Sequence, residues 1–288
     1  MIDTLLGRRE GVTAAFLVTG ERPALVETGA RTSAPAVRRA LAAAGLGAGD
    51  LAWIVLTHVH LDHCGGTGIL AAAFPRATVV VHRRGARHLA EPQRLVAASA
   101  AVYGPRWALY GGLDRTAAGR IVAAEDGHRV PVGPGRELVL LETPGHARHH
   151  MSVLDEATGT VLAGDALGVR FPRGGLYPAL PPPDIDLAAG RESLARLAAL
   201  SPERLCLAHY GPVADPLADL ALAGDQLGRA AAAATAAGTG RAALGAALEA
   251  ALPFEATVAD PDAIATWRRV GWAGANVDGI AGWLERER

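Results

Sequence analysis

Within six positions, from His58 to His63, the chain places three histidines and an aspartate, directly after the apolar run Ala52 to Leu56. Neutral imidazole nitrogens and carboxylate oxygens are the donors that zinc, iron and similar divalent metals accept, and crowding them without a cation is costly. A metal site is therefore the first expectation, and it constrains the fold around it. With Ile54 to Leu56 extended, His58 and His60 at spacing two leave the strand end on the same side. Asp62 and His63 then fall where the chain turns into a helix, facing a second metal position beside the first. Gly65 and Gly66 fit a tight turn or a close backbone approach.

The flanking patterns predict layered α/β architecture. Thr13 to Thr19 and Pro23 to Glu27 form a hairpin around Gly20, Glu21 and Arg22. Thr32 or Ser33 caps a helix that runs to Ala44 and stops at Gly45 and Gly47. Ala52 to Leu56 is a buried strand, Gly66 to Phe74 a short helix ended by Pro75, and Thr78 to His82 the next strand. Residues 83 to 120 are mostly helical but broken by Pro92, Gly104, Pro105, Gly111 and Gly112; Tyr103, Trp107 and Tyr110 there read as packing before substrate contact. Glu137 to Glu142 delivers Thr143-Pro144-Gly145-His146. Met151 to Asp155 and Thr160 to Ala163 make a second hairpin that delivers Gly164-Asp165. A Pro- and Gly-rich loop from Phe171 to Pro183 is long enough to be functional or mobile. Ile185 to Leu200 is an amphipathic helix, and Glu203 to Ala208 a strand ending at His209. From Asp215 the pattern is helical, broken near Gly238 to Gly240 and Pro253, with Trp267, Trp272 and Trp283 late in the chain. No catalytic group is expected from that tail.

Length and charge narrow the function. The chain has 288 residues, half of them hydrophobic, enough for one large domain or two modest ones. Its net charge is -1, and its positive charge is all arginine with no basic block, which argues against nucleic acid as a partner. No apolar run has the length of a membrane span. Met1 to Glu10 carries Asp3, Arg8, Arg9 and Glu10 and lacks an export leader's pattern, and Cys64 and Cys206 form no paired framework. A reducing, cytoplasmic setting is the expectation. Cys64 reads as a buried thiol beside the ligands rather than one of them. No G-x-S-x-G elbow suggests a serine nucleophile.

His58, His60, Asp62, His63, His146, Asp165 and His209 each lie just beyond a predicted strand, where functional groups of layered α/β folds gather. The HxHxDH run at 58 to 63, then Pro144-Gly145-His146, Gly164-Asp165 and the His209 segment, resemble in that order the metallo-β-lactamase fold superfamily. The resemblance spans residues 13 to about 213. It implies a four-layer αββα sandwich for residues 1–213, with residues 214–288 a C-terminal helical subdomain packed on it. It further implies a two-metal site: His58, His60 and His146 on the first ion, Asp62, His63 and His209 on the second, and Asp165 bridging. Zinc is the expected metal, with iron or manganese as alternatives.

This complement looks like the glyoxalase II branch, because the zinc β-lactamases place a cysteine where the bridging carboxylate stands. The implied activity is hydrolysis of an ester, thioester, lactone or phosphodiester in a small molecule by a metal-bridging hydroxide, with Asp62 or Asp165 orienting it or accepting a proton. Lactonases of the superfamily carry a tyrosine three residues after the bridging aspartate; here that position is Gly168, leaving Tyr210, Tyr177 or Tyr103 as stand-ins. His150 is expected to support the ligands, and Glu27, where relatives have aspartate, to buttress the ligand loop. His82, His88 and His128 receive no role. A mononuclear iron dioxygenase acting on persulfide through His58, His146 and Asp165 is the nearest rival, and a metal-stabilised, non-catalytic binding module the third reading. The expected partner is a small-molecule substrate, with no nucleic acid or membrane, and self-association is left open.

Overall fold

The computed structural model describes residues 1–170, 172–270 and 273–287. Phe171, at the start of the expected Pro- and Gly-rich loop, and Trp272, in the expected helical tail, lie outside them. The chain divides into two compact units: Met1–Glu142 with Met151–Leu162, and Thr143–His150 with Ala163–Arg288.

The first unit contains a mixed sheet ordered β1 (Ile2–Asp3), β2 (Ala14–Val18), β3 (Ala24–Val26), β4 (Trp53–Val55), β5 (Thr78–His82) and β6 (Ile121–Ala124). β1 to β3 pair antiparallel and β3 to β6 parallel. Leu25, Val26, Ile54, Val55, Val79 and Val80 are fully buried, the near-continuous apolar signature of parallel strands covered on both faces. Around them lie α1 (Ala34–Ala43), α2 (Leu61–Cys64), α3 (Thr67–Ala73), α4 (Arg83–Ala90), α5 (Gln93–Tyr103) and α6 (Trp107–Tyr110). In α6, Tyr110 is fully buried and stacks on Tyr103 at 3.9 Å, as packing aromatics do.

The helix start at Ser33 differs from expectation. Ser33 is the residue before α1, but its side chain makes no capping bond, and its buried hydroxyl has no hydrogen-bond partner among the described residues. The chain enters from a 3-10 turn at Arg31–Ser33, so Ser33 already has helical angles and cannot swing its oxygen over the helix end. Pro35 in the first turn supplies the start instead, while the Thr32 hydroxyl is taken by the Leu109 carbonyl.

A second set of strands, β7 (His128–Gly133), β8 (Arg136–Glu142), β9 (Met151–Asp155) and β10 (Thr160–Leu162), runs antiparallel in that order. It is tied to the first sheet within the unit. The Trp53 Nε1–H donates to the Pro131 carbonyl (2.8 Å), the Met151 N–H to the Thr57 carbonyl (2.8 Å) and the Arg22 N–H to the Val132 carbonyl (3.1 Å). His82 Nε2 meets Glu142 Oε1 at 2.9 Å, which gives that buried histidine a structural partner.

The second unit holds the hairpin β11 (Val169–Arg170) and β12 (Leu176–Tyr177), then α7 (Leu187–Ala199), β13 (Arg204–Leu207) and β14 (Gly211–Pro212). It continues through α8 (Pro216–Ala237), α9 (Arg241–Ala251), α10 (Phe254–Val258), α11 (Pro261–Val270) and α12 (Ala273–Arg286). Asp186 and Asp215 cap α7 and α8, accepting from the Ala189 and Ala218 N–H groups at 2.9 and 3.0 Å. The Pro- and Gly-rich stretch predicted as loop thus contains β12, and its Tyr177 packs edge-on against Trp267 and Phe254 (5.5 and 5.0 Å between centroids). Among the described residues no helix is long and apolar enough to cross a membrane.

Candidate metal centre

Each unit carries one cluster of the predicted ligands. In the first, β4 runs out at Val55, Leu56 still donates to the Val80 carbonyl (2.9 Å), and the chain then leaves the sheet through Thr57 to His60 into the single turn of α2. The Thr28 N–H and hydroxyl both donate to the His63 carbonyl, at 2.9 and 2.7 Å. A Cβ on Gly65 would stand 2.6 Å from the Arg31 nitrogen, so only glycine allows this approach.

The predicted convergence of side chains is present here. His58 Nε2 and His60 Nδ1 lie 3.1 Å apart, close to the roughly 3.3 Å expected between two nitrogens on one tetrahedral zinc. His63 Nε2 lies 3.8 Å from Asp62 Oδ1, and the His58 and His63 rings are 4.1 Å apart. His58, Asp62 and His63 are buried and His60 half-buried.

Behind these ligands stands Glu27, 2% exposed and at φ +70°, a left-handed conformation uncommon outside glycine. Its Oε1 accepts from the Thr57 N–H (3.3 Å) and from the Thr57 hydroxyl, and its Oε2 faces His63 Nδ1 at 3.5 Å. Because the Thr57 hydroxyl donates to the carboxylate, it accepts from His58 Nδ1 at 2.9 Å. His58 thereby keeps its proton on Nδ1 and turns its Nε2 lone pair outward, as a metal-binding histidine requires, and the Glu27 carboxylate beside His63 Nδ1 favours the same tautomer there. Glu27, His58 and His63 each offer a ligand atom within 4.8 Å of the others. Thr57 carries no expected role; its place immediately before the ligand run is its one signal in the sequence. Cys64 is fully buried, and burial, then the charges of Glu27 and Asp62, push its thiol well above the ordinary range.

In the second unit, Ala163 donates to the Cys206 carbonyl (2.8 Å) and Ala208 to the Gly164 carbonyl (3.2 Å). That ladder sets Asp165 beside His209: Asp165 Oδ1 lies 3.7 Å from His209 Nε2, while its Oδ2 lies 3.5 Å from His146 Nε2. His146 reaches this place through a loop that only glycine permits, because a Cβ on Gly145 (φ +140°) would lie 2.3 Å from the Gly190 Cα. The Ala179 carbonyl accepts from His146 Nδ1 at 2.9 Å, which again directs Nε2 toward the ligand side. His150 supports the cluster as expected: its Nε2 accepts from the Asp165 N–H (3.0 Å), and its Nδ1 is held by Thr143 (2.9 Å to the hydroxyl, 3.0 Å to the carbonyl).

Gly168 at φ +95° excludes a tyrosine, since a Cβ there would lie 2.3 Å from the Tyr177 carbonyl oxygen. Tyr177 is no stand-in: it is buried in the aromatic cluster, its hydroxyl donates to the Leu252 carbonyl (3.3 Å), and burial pushes its phenol up to about 12. A cavity of about 10 Å³, bordered by His146, Asp165, Gly168, Ala179 and Leu227, has room for about one water molecule.

The chain belongs to the metallo-β-lactamase superfamily, whose family model matches residues 7–209. It is similar to the metallo-β-lactamase fold-containing protein ST1585 of Sulfurisphaera tokodaii, with 34% identity over 167 residues covering 57% of this chain and 62% of that one. The crystal structure of ST1585 superposes with a TM-score of 0.65 at 30% identity, over 75% of this chain and 80% of that one. The metallo-β-lactamase family protein TTHA1429 of Thermus thermophilus superposes with a TM-score of 0.66 at 27% identity, over 96% and 89%. The chain spans less than two thirds of the curated relatives it matches, 62% of ST1585 and 46% of the uncharacterized Bacillus subtilis protein YobT. The fold is thus the α/β metallo-β-lactamase fold, with mixed sheets and C-terminal helices. Members of this superfamily are mostly metal-dependent hydrolases, and the clustered histidines and carboxylates suit divalent metal.

Proposed function

We propose that the chain is a dinuclear metal-dependent hydrolase of a small-molecule ester, thioester, lactone or phosphodiester, related to the glyoxalase II branch. The observation that carries this reading is the disposition of Asp165, whose two oxygens face two different histidine Nε2 atoms, His146 on one side and His209 on the other. A carboxylate so placed is suited to span two ions. The other cluster divides the same way, His58 with His60 and Asp62 with His63. The superfamily's ligand pattern, carried onto this chain, assigns His58, His60 and His146 to one ion and Asp62, His63 and His209 to the other, with Asp165 common to both. The donor set fits zinc, and oxygen-rich Asp62 and Asp165 also accommodate iron or manganese.

Bound there, divalent cations would supply an acidified water and Lewis-acid polarisation of the scissile group. The chain's own part is to hold protons where they do not compete. Thr57 and the Ala179 carbonyl keep His58 and His146 protonated at Nδ1. Asp62 or Asp165, both buried, would orient the water or take up the proton released on hydrolysis. A carboxylate at 165 in place of cysteine supports this branch over antibiotic hydrolysis, and the closed position at Gly168 weighs against a lactonase of the tyrosine-bearing kind.

A panel of thioesters, lactones and phosphodiesters tests the reading. Hydrolysis of at least one class is expected, lost on chelation and restored by zinc, iron or manganese. Oxygen consumption on persulfide by an iron-loaded protein with no hydrolysis would transfer the assignment to the dioxygenase reading.

A further inference from the structure

The C-terminal helix α12 reaches back across nearly a hundred residues to grip the strand-following segment Pro178–Leu180. Asn276, 8% exposed on α12, uses both ends of its amide there: Oδ1 accepts from the Leu180 N–H (2.8 Å) and Nδ2 donates to the Pro178 carbonyl (2.9 Å). Between these two bonds lies Ala179, whose carbonyl accepts from His146 Nδ1 at 2.9 Å. The Ala179 carbonyl and the Leu180 N–H belong to one peptide group, which is planar and rigid, with the two dipoles pointing opposite ways. Fixing the N–H on one side therefore fixes the carbonyl that faces His146 on the other.

We infer that Asn276 is a positioning residue for His146, acting through the Ala179–Leu180 peptide plane to set that histidine's tautomer and ring orientation. This positioning role rests on the proposed function of His146 as a metal ligand. A carbonyl oxygen can only accept, so His146 must carry its proton on Nδ1 and present the Nε2 lone pair, the atom that faces Asp165 at 3.5 Å. Outer partners of this kind decide how well a ligating histidine binds. The neighbouring contacts fit a clamp directed at this segment. A Cβ on Gly279 would stand 1.9 Å from the Leu180 carbonyl oxygen, so α12 lies directly against it. Gln226 Nε2 donates to the Leu176 carbonyl (2.7 Å) and Arg286 to the Ile185 carbonyl (2.5 Å), which holds the stretch at either end. The helical tail thus contributes to the centre without entering it.

The test compares the full-length wild type with Asn276→Ala and Asn276→Asp by two measurements. The first is the ¹⁵N spectrum of the His146 ring in metal-free protein. Wild type is expected wholly as the Nδ1–H tautomer, Asn276→Ala as a mixture, and Asn276→Asp, which keeps an acceptor for the Leu180 N–H but sets an oxygen against the Pro178 carbonyl, between the two. The second is zinc competition titration, in which Asn276→Ala is expected to weaken one of the two ions about tenfold and leave the other unchanged. General loosening of the fold would weaken both. If Asn276→Ala does not fold, Asn276→Ser, whose shorter side chain cannot span both the Leu180 N–H and the Pro178 carbonyl, carries the same two expectations. A folded variant with unaltered tautomer and unaltered zinc affinity overturns the inference. Failure of the wild type to bind zinc, iron or manganese would instead remove the functional reading, while the ring spectrum still decides whether Asn276 controls His146.

Discussion

Asp165→Ala is expected to lower kcat at least about a thousandfold, roughly 4 kcal/mol of transition-state stabilisation, with a smaller change in KM. The size of the effect follows from the position of the carboxylate. Its two oxygens serve two different histidines, so one substitution disturbs both proposed ion sites together. Buried at 5% exposure, the position has no ready replacement from solvent. Metal analysis of the purified variant should give fewer ions per chain than wild type, and Asp165→Asn should behave nearly as badly, because its amide turns one acceptor into a donor. Full activity in Asp165→Ala with unchanged metal content would end the two-ion account.

The second large effect is expected at Glu27, a residue that touches no substrate. In Glu27→Gln the new carbonyl oxygen still accepts from Thr57, but the amide NH₂ takes the place of the oxygen that faces His63 Nδ1. An NH₂ donates, so His63 must shift its proton to Nε2 and surrender the lone pair meant for the metal. Affinity for one ion should fall about ten- to hundredfold, while the melting temperature changes little. In Glu27→Ala the buried Thr57 N–H and hydroxyl lose their acceptor as well, and a further stability loss of about 2 kcal/mol is expected. Competition titration and thermal unfolding on the same samples separate the two variants. Equal metal affinity in wild type and Glu27→Gln would mean that the carboxylate only fills space.

How far these features are legible in the sequence depends on the range of the interaction that creates them. His58, His60, Asp62 and His63 are adjacent in the chain, so strand periodicity and the turn into α2 suffice to group them before any coordinates. Gly164-Asp165 and His209 are legible as strand-end residues, though the ladder that joins them, Ala163 to Cys206 and Ala208 to Gly164, is not. Glu27 is foreseen as a buttress, but its chemistry depends on Thr57, which only the folded chain brings between Glu27 and His58. Strands β6 and β7 leave no assignment in the sequence pattern, because parallel and bulged pairing at short length blurs the alternation. β11 and β12, at two residues each, are too short to show any. Asn276 is invisible for a plainer reason: both its partners are backbone groups, which have no sequence signature.

Anomalous diffraction from crystals of the metal-loaded protein, collected at the zinc, iron and manganese edges, tests the central claim most directly. The account predicts two peaks a few ångströms apart, one within bonding distance of His58, His60 and His146, the other of Asp62, His63 and His209, with Asp165 touching both. No peak at these residues under saturating metal, or ions bound with Asp165 and His209 left out, would contradict it.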